Sequence, residues 1–321
     1  MFYGAAVALS RVAFGHHRRR AWSVAALLTG ALTLAACGGT PSTGPSGVIQ
    51  AIGAESQYAN VLSQLGGRDI HVSAILNNPA SDPHTFEAST SVAEEVSQAQ
   101  LIVQNGVGYD TFMNTIEAAS PSASRKVLVV QDVLGLPTST PNPHLWYSPR
   151  TMPAVARAIT ADLVALQPSH APYFRANLST FLASLQPWLA AIASFKATYR
   201  DTPVAVTEPV ADYLLQAMGT QIQTPFVFQS DVMNGVDPSP EDISLENGLL
   251  TNHTVKVFCY NEQVVDALTI SMRQAAISAG IPVVAVYETM PTPGYDYQTW
   301  MLAEVAAIQA AVAMGTSTQH L

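Results

Sequence analysis

Residues 171–199 read Ala-Pro-Tyr-Phe-Arg-Ala-Asn-Leu-Ser-Thr-Phe-Leu-Ala-Ser-Leu-Gln-Pro-Trp-Leu-Ala-Ala-Ile-Ala-Ser-Phe-Lys-Ala-Thr-Tyr, and this stretch decides the fold. Phe174, Leu178, Phe181, Leu185, Trp188, Ile192 and Phe195 recur at spacings of four and three, which aligns them in one apolar stripe along a helix. Read as continuous, that helix is roughly 40 Å long at 1.5 Å rise per residue, with Pro187 positioned to kink it. Joining two lobes, it would be a stiff spine and not a flexible hinge. A coiled-coil dimer seam is the rival reading.

On either side of the stripe, short β-branched runs alternate with helical patterns, the mark of parallel sheets covered by helices. Upstream, Val48–Ile52, Ile70–Ile75, Leu101–Gln104 and Val127–Gln131 read as strands, with helices near Glu55–Leu65, Ser89–Gln98 and Tyr109–Ala119. Downstream, the strands are Pro203–Thr207, Val255–Tyr260 and Pro282–Tyr287, with helices near Val210–Met218, Glu241–Leu250, Val264–Ala279 and Asp296–Ala313. The expected fold is therefore α/β, with two lobes of mostly parallel sheet flanked by helices. The expected divisions are an N-terminal lobe at 48–170, a linking helix at 171–199 and a C-terminal lobe at 200–321. No close internal sequence repeat relates the halves.

The chain has 321 residues, 48% hydrophobic and 12% charged, enough apolar material for two cores. Residues 1–36 form a separate object: a basic patch (Arg11, Arg18, Arg19, Arg20), an apolar run from Ala21 to Ala36, then Cys37. The run is short for a spanning helix and ordinary for an export signal. Leu34-Ala35-Ala36-Cys37 resembles a bacterial lipobox, which implies lipidation at Cys37; a plain secretory signal or a short anchor is the simpler reading. Residues 37–47 have linker composition and would act as a flexible tether. With Cys37 lipidated, Cys259 is the one remaining thiol, so no internal disulfide or cysteine metal cage can form, and Cys259 reads as a small buried hydrophobe. Without residues 1–36 the chain keeps 10 Lys and Arg against 23 Asp and Glu, a net charge of −13. That balance, with no basic patch interleaved with aromatics, argues against nucleic acid.

Two loops carry the chemistry. Asp82-Pro83-His84-Thr85-Phe86-Glu87 and Asn142-Pro143-His144-Leu145-Trp146-Tyr147-Ser148-Pro149 each place a histidine directly after a proline, so the imidazole enters from a stiff backbone and loses little entropy on ordering. Both follow predicted strands, where open α/β sheets hold ligands. Glu208 and Glu288 end strands of the second half in equivalent positions. A carboxylate at a strand mouth alone reads more simply as a helix cap or a solvated group. His71, His170 and His253 read as surface residues, Trp146 and Phe86 as cleft-wall packing, and Tyr295, Tyr297 and Trp300 as packing for the last helix. Glycine-rich phosphate loops, serine-nucleophile motifs and HExxH helices are absent from the sequence.

These motifs, together with Pro238-Ser239-Pro240 before a helix and Asn261-Glu262-Gln263 after a strand, resemble the solute-binding lipoproteins of zinc and manganese ABC importers, over nearly all of residues 48–313. The resemblance implies His84, His144, Glu208 and Glu288 as the metal ligands. Glu288 stands where the family usually has aspartate, one methylene shorter. Glu262, near a helix start where the dipole favours an acid, is a candidate second-layer group. The resemblance further implies two lobes on a rigid helix, a permease and its ATPase as partners, and a lipid-anchored monomer on the extracytoplasmic face of the membrane.

Two neutral imidazoles and two carboxylates cancel a divalent charge, so a buried complex strands no net charge. The set suits Mn²⁺ and lacks the thiolates that favour softer ions, while Zn²⁺ binds such sites tightly by the general stability order. The loop before His144 has no histidine run, which supports Mn²⁺ with Zn²⁺ next. The expected function is therefore a receptor and not an enzyme. An adhesion lipoprotein with a structural metal and, less favoured, a metallohydrolase with an open coordination position are the alternatives.

Overall fold

The computed structural model describes residues 47–78, 86–291 and 294–321. The first half is built from β1 (Ile49–Glu55), α1 (Ser56–Gly66), β2 (Ile70–Leu76), α2 (Thr90–Gln98), β3 (Leu101–Gln104), α3 (Thr111–Ala119), β4 (Lys126–Val129), α4 (Val130–Val133) and α5 (Thr151–Leu166). Next come α6 (Ala171–Ser184) and α7 (Gln186–Tyr199). The second half holds β5 (Pro203–Val206), α8 (Asp212–Met218), β6 (Gln221–Ile222), α9 (Phe226–Met233), α10 (Pro240–Thr251), β7 (Val257–Asn261), α11 (Ala267–Ser278), β8 (Val283–Val286) and α12 (Tyr297–Met314).

Each half forms a four-stranded parallel sheet, in the orders β2-β1-β3-β4 and β6-β5-β7-β8. The same order recurs although the two sequences do not repeat. Central strands β3 and β7 and the edge strand β8 are buried along their whole length, as expected where helices cover both faces of a parallel sheet. In each sheet the order reverses beside the first strand, between β1 and β3 and between β5 and β7, which opens a crevice at their carboxyl ends. The β1–α1 turn is especially tight: a Cβ on Gly53 would lie 2.2 Å from the backbone nitrogen of Ala59. Only glycine fits there.

The expected spine is present and bent. Helix α6 ends at Leu185, which keeps right-handed dihedrals, and α7 begins with Pro187 in its first turn. Proline lacks the amide that would bond the carbonyl one turn back, so the helix breaks there and resumes. The apolar stripe is inside: Phe174, Phe181, Leu185, Trp188, Ile192 and Phe195 are all buried. Trp188 meets the ring of Tyr297 edge-on at 5.9 Å, which ties α7 to α12. This burial against the chain's own core explains the stripe without a dimer seam.

Several elements differ from the sequence reading. The strand expected through Gln131 ends at Val129, because Val130 opens a four-residue helix. Helix α5 is an element the sequence reading lacks, although Met152, Val155, Ala156, Ile159 and Leu163, all buried, follow helical spacing. Helix α9 and the two-residue strand β6 carry no periodicity long enough to read. Cys259 lies buried in β7, where burial raises its thiol pKa far above the usual range.

Glu304 on α12 is fully buried, accepts a hydrogen bond from the Trp300 indole at 3.0 Å, lies 3.1 Å from the Tyr147 hydroxyl, and has its pKa pushed up to about 8 by desolvation. An unfolded Glu titrates near ~4.3. Between those values the folded state holds the extra proton, so this group's contribution to stability is complete below the lower value and is lost as pH rises towards the upper one. Glu304→Gln keeps the shape and removes the titration. Calorimetric melts of the two proteins between pH 5 and pH 8 should therefore diverge, with the parent losing stability more steeply by up to ~1.4 kcal/mol per pH unit. Parallel profiles would show that Glu304 does not titrate in this range.

Candidate metal centre

The site residues come from loops beyond the carboxyl ends of the strands. His144 follows α4 by way of the Asn142-Pro143 turn, Glu208 lies two residues past β5, Asn261 ends β7, and Glu288 lies two residues past β8. His144 is completely buried, and Glu208 and Glu288 are exposed by 2% and 1%. His84 lies outside the described residues.

His144 is oriented from behind. Asn142 accepts from the His144 backbone amide at 2.9 Å and sits 2.8 Å from its Nδ1 through the same Oδ1, while its amide nitrogen donates to the Pro209 carbonyl at 2.7 Å. Since Oδ1 can only accept, Nδ1 carries the proton, and in the neutral ring the lone pair is left on Nε2. That atom stands 3.2 Å from Glu288 Oε2. A lone pair facing a carboxylate is repulsive unless a proton or a metal cation lies between them. This is the arrangement expected of a ligand pair whose outer nitrogen is fixed by a second residue.

The two glutamates are held by Asn261. Its amide nitrogen lies 2.6 Å from Glu288 Oε1 and 3.4 Å from Glu208 Oε2, while its own backbone amide donates to Thr207 Oγ1 at 3.0 Å. Gln263 Oε1 accepts the amides of Glu288 and Thr289 at 2.6 and 2.7 Å, which fixes the turn that presents Glu288. From the opposite lobe the Tyr109 hydroxyl donates to Glu288 Oε2 at 2.8 Å. Burial first, and then the neighbouring Glu288 charge, raise the Tyr109 pKa well above its usual range, so it remains a donor. No Lys or Arg among the described residues forms an ion pair with either glutamate. Two carboxylates buried this deeply are costly unless they are paired, hydrogen-bonded or coordinated.

The structure thus brings His144 against Glu288, and Glu208 to Glu288 through Asn261. Among the described residues no group of three or more His, Cys, Asp or Glu side chains converges closely enough to hold an ion. Glu262 contacts the Tyr260 hydroxyl at 2.5 Å and His320 at 3.0 Å, on the outside of the loop. Its neighbours Asn261 and Gln263 are the residues that touch the glutamates. Sequence reading quotes both, and Asn142, within its motifs but gives them no role, and it gives none to Tyr109; polar residues flanking the His144 and Glu288 loops are the available signal. Trp146 is buried and packs edge-on against His144 and Tyr109 at 5.4 and 5.2 Å. His71 and His253 are exposed, and His170 is partly exposed, 2.7 Å from Asp69.

A strand-end site between two α/β lobes on a helical spine is the architecture of solute-binding proteins with a rigid linker. Residues 54–311 match the family described as zinc-uptake complex component A, periplasmic, and the chain belongs to that family. The metal ABC transporter substrate-binding lipoprotein FimA of Streptococcus parasanguinis is 25% identical over 68% of this chain and 72% of its own length. The manganese-binding lipoprotein MntA of Bacillus subtilis is 25% identical over 51% of this chain and 55% of its own. Among solved structures, the periplasmic zinc-binding protein TroA of Treponema pallidum superposes with a TM-score of 0.69 at 16% identity, over 84% of this chain and 99% of that one. At that identity the superposition speaks for the fold.

Because Asn261 is the amide between two buried carboxylates, Asn261→Asp should put a third negative charge there. The metal-free variant should melt several degrees below the parent, and saturating Mn²⁺ should recover most of the difference. A variant that melts like the parent without metal would show that the glutamates do not depend on this amide.

Proposed function

We propose that this protein is the metal receptor of an ABC importer, capturing one divalent transition ion between its lobes and delivering it to a membrane permease. The observation that carries the reading is the buried His144–Glu288 contact, with the imidazole tautomer fixed by Asn142. The relatives' names agree with it: substrate-binding lipoproteins of metal transporters, one of them manganese-binding. The proposed ligands are His84 and His144 from the first lobe and Glu208 and Glu288 from the second. Their charge matches a divalent cation, and the oxygen-rich, thiolate-free set favours Mn²⁺, with Zn²⁺ next. We further propose division at 48–170, 171–199 and 200–321, a monomeric state, and export with lipidation at Cys37, which would hold the receptor on the outer face of the cell membrane beside its permease.

Elemental analysis of the lipid-free protein from Gly38 onward, stripped and reloaded in mixed Mn²⁺ and Zn²⁺, should find one ion per chain. His84→Ala and Glu208→Ala should each retain much less, a loss on the order of tenfold or more in affinity for one missing ligand. No retained metal in the parent would overturn the reading. Since protons compete for every ligand, affinity should fall by at least about tenfold from pH 8 to pH 5. A flat profile would speak against this ligand set.

A further inference from the structure

Behind the His144 loop lies a cavity of about 660 Å³ where both lobes meet the spine. Its apolar walls come from Leu136, from Leu189 and Ile192 of α7, and from Tyr213 of α8, and its charged groups are Arg150 and Lys196. The volume falls within the roughly 300–1,000 Å³ of small-ligand sites, which favour such junctions.

The charge is the unusual feature. Beyond residue 36 the chain has 10 Lys and Arg against 23 acids, yet two of those ten line this cavity and no Asp or Glu does. Neither cation forms an ion pair among the described residues, whereas Lys126 pairs with Asp162 at 2.8 Å. Another cavity, about 420 Å³ beside β1 and α2, has the opposite character, with Glu94 and Glu95 in its wall and no Lys or Arg. Lys196 also has its stem held: a Cβ on Gly219 would meet its Cγ at 3.1 Å. A stem packed this way carries its ammonium to the cavity edge at reduced entropic cost.

We propose that this cavity is a second ligand site, for a small amphipathic anion: a carboxylate with an apolar body, its charge between Arg150 and Lys196 and its body against Leu136, Leu189 and Ile192. The wall also reaches the metal ligand. The Tyr213 hydroxyl donates to the Asn142 carbonyl at 2.9 Å, and Asn142 orients His144. An occupant pressing on Tyr213 shifts the residue that aims the imidazole, and by linkage metal and anion alter each other's affinity by the same factor.

Calorimetric titration of metal-free protein with decanoate, decanol and decyltrimethylammonium tests the anion site without reference to metal. Decanoate should bind one per chain, at least about tenfold tighter than either other head group, and Arg150→Glu and Lys196→Glu should each remove that preference. Both substitutions are at exposed positions, and unchanged melting curves will confirm folding. No saturable binding, equal binding of the three probes, or decanoate affinity unmoved by the charge reversals would overturn the proposal. The coupling rests on the metal-receptor reading. Repeated with saturating Mn²⁺, the decanoate titration should shift in the parent and not in Tyr213→Phe; equal affinities with and without Mn²⁺ in the parent would overturn the coupling and leave the anion site standing.

Discussion

Two carboxylates and an imidazole, each no more than 2% exposed, must share a space from which water is excluded. Unpaired charge there is expensive, because the hydration each group enjoyed in the unfolded chain has to be replaced. The surrounding loops are arranged around that requirement. Asn142 fixes the imidazole, Asn261 lies between the glutamates, Gln263 holds the turn that presents Glu288, and Tyr109 reaches across from the other lobe. Each supporting group donates to or orients one of these side chains or its turn, and a divalent cation at this place would complete the charge balance.

The same junction limits how far the lobes can move. Tyr147 bridges to the backbone of Tyr287 through both its donor and acceptor roles, Tyr297 donates to the Trp146 carbonyl, and Ser56 accepts the Met290 amide. The α7–α12 packing of Trp188 on Tyr297 adds buried aromatic area. A wide opening would sever these buried hydrogen bonds, at ~1 kcal/mol or more apiece, and would expose the rings as well. Displacing the Glu288 turn or the His144 loop breaks fewer of them. With the bent spine holding the lobes, a local displacement costs less than a wide opening.

Two sheets with one strand order and unrelated sequences show how the site acquires its mixed chemistry. The repeated topology puts a crevice at the carboxyl end of each sheet. The residue types delivered there differ: a histidine loop from the first half, two glutamates from the second. Facing the crevices across the spine brings nitrogen and oxygen groups to one junction. The polar supports there, Asn, Gln and Tyr rather than Lys and Arg, add no permanent positive charge to it.

Much of this was legible before any coordinates. The stripe from Phe174 to Phe195 announced a spine because helical periodicity is a local property, and strand-end His144, Glu208 and Glu288 stood out because Pro-His turns and acids closing β-branched runs are local too. The leader reading at residues 1–36, with lipidation at Cys37, rests on composition alone and lies outside the described residues. The bend beside Leu185 was legible too, from Pro187 alone, whereas the strand order and the short strand β6 were not, since they follow from what each segment packs against. Nor was the role of Asn142, Asn261, Gln263 or Tyr109, residues that look like ordinary loop polars until the fold brings them within 3 Å of a ligand or its turn. Sequence determined which donors the chain could offer, because donor chemistry belongs to single residues. Tertiary structure decided which of them are buried together, because burial and hydrogen-bond partnership belong to pairs far apart in the chain.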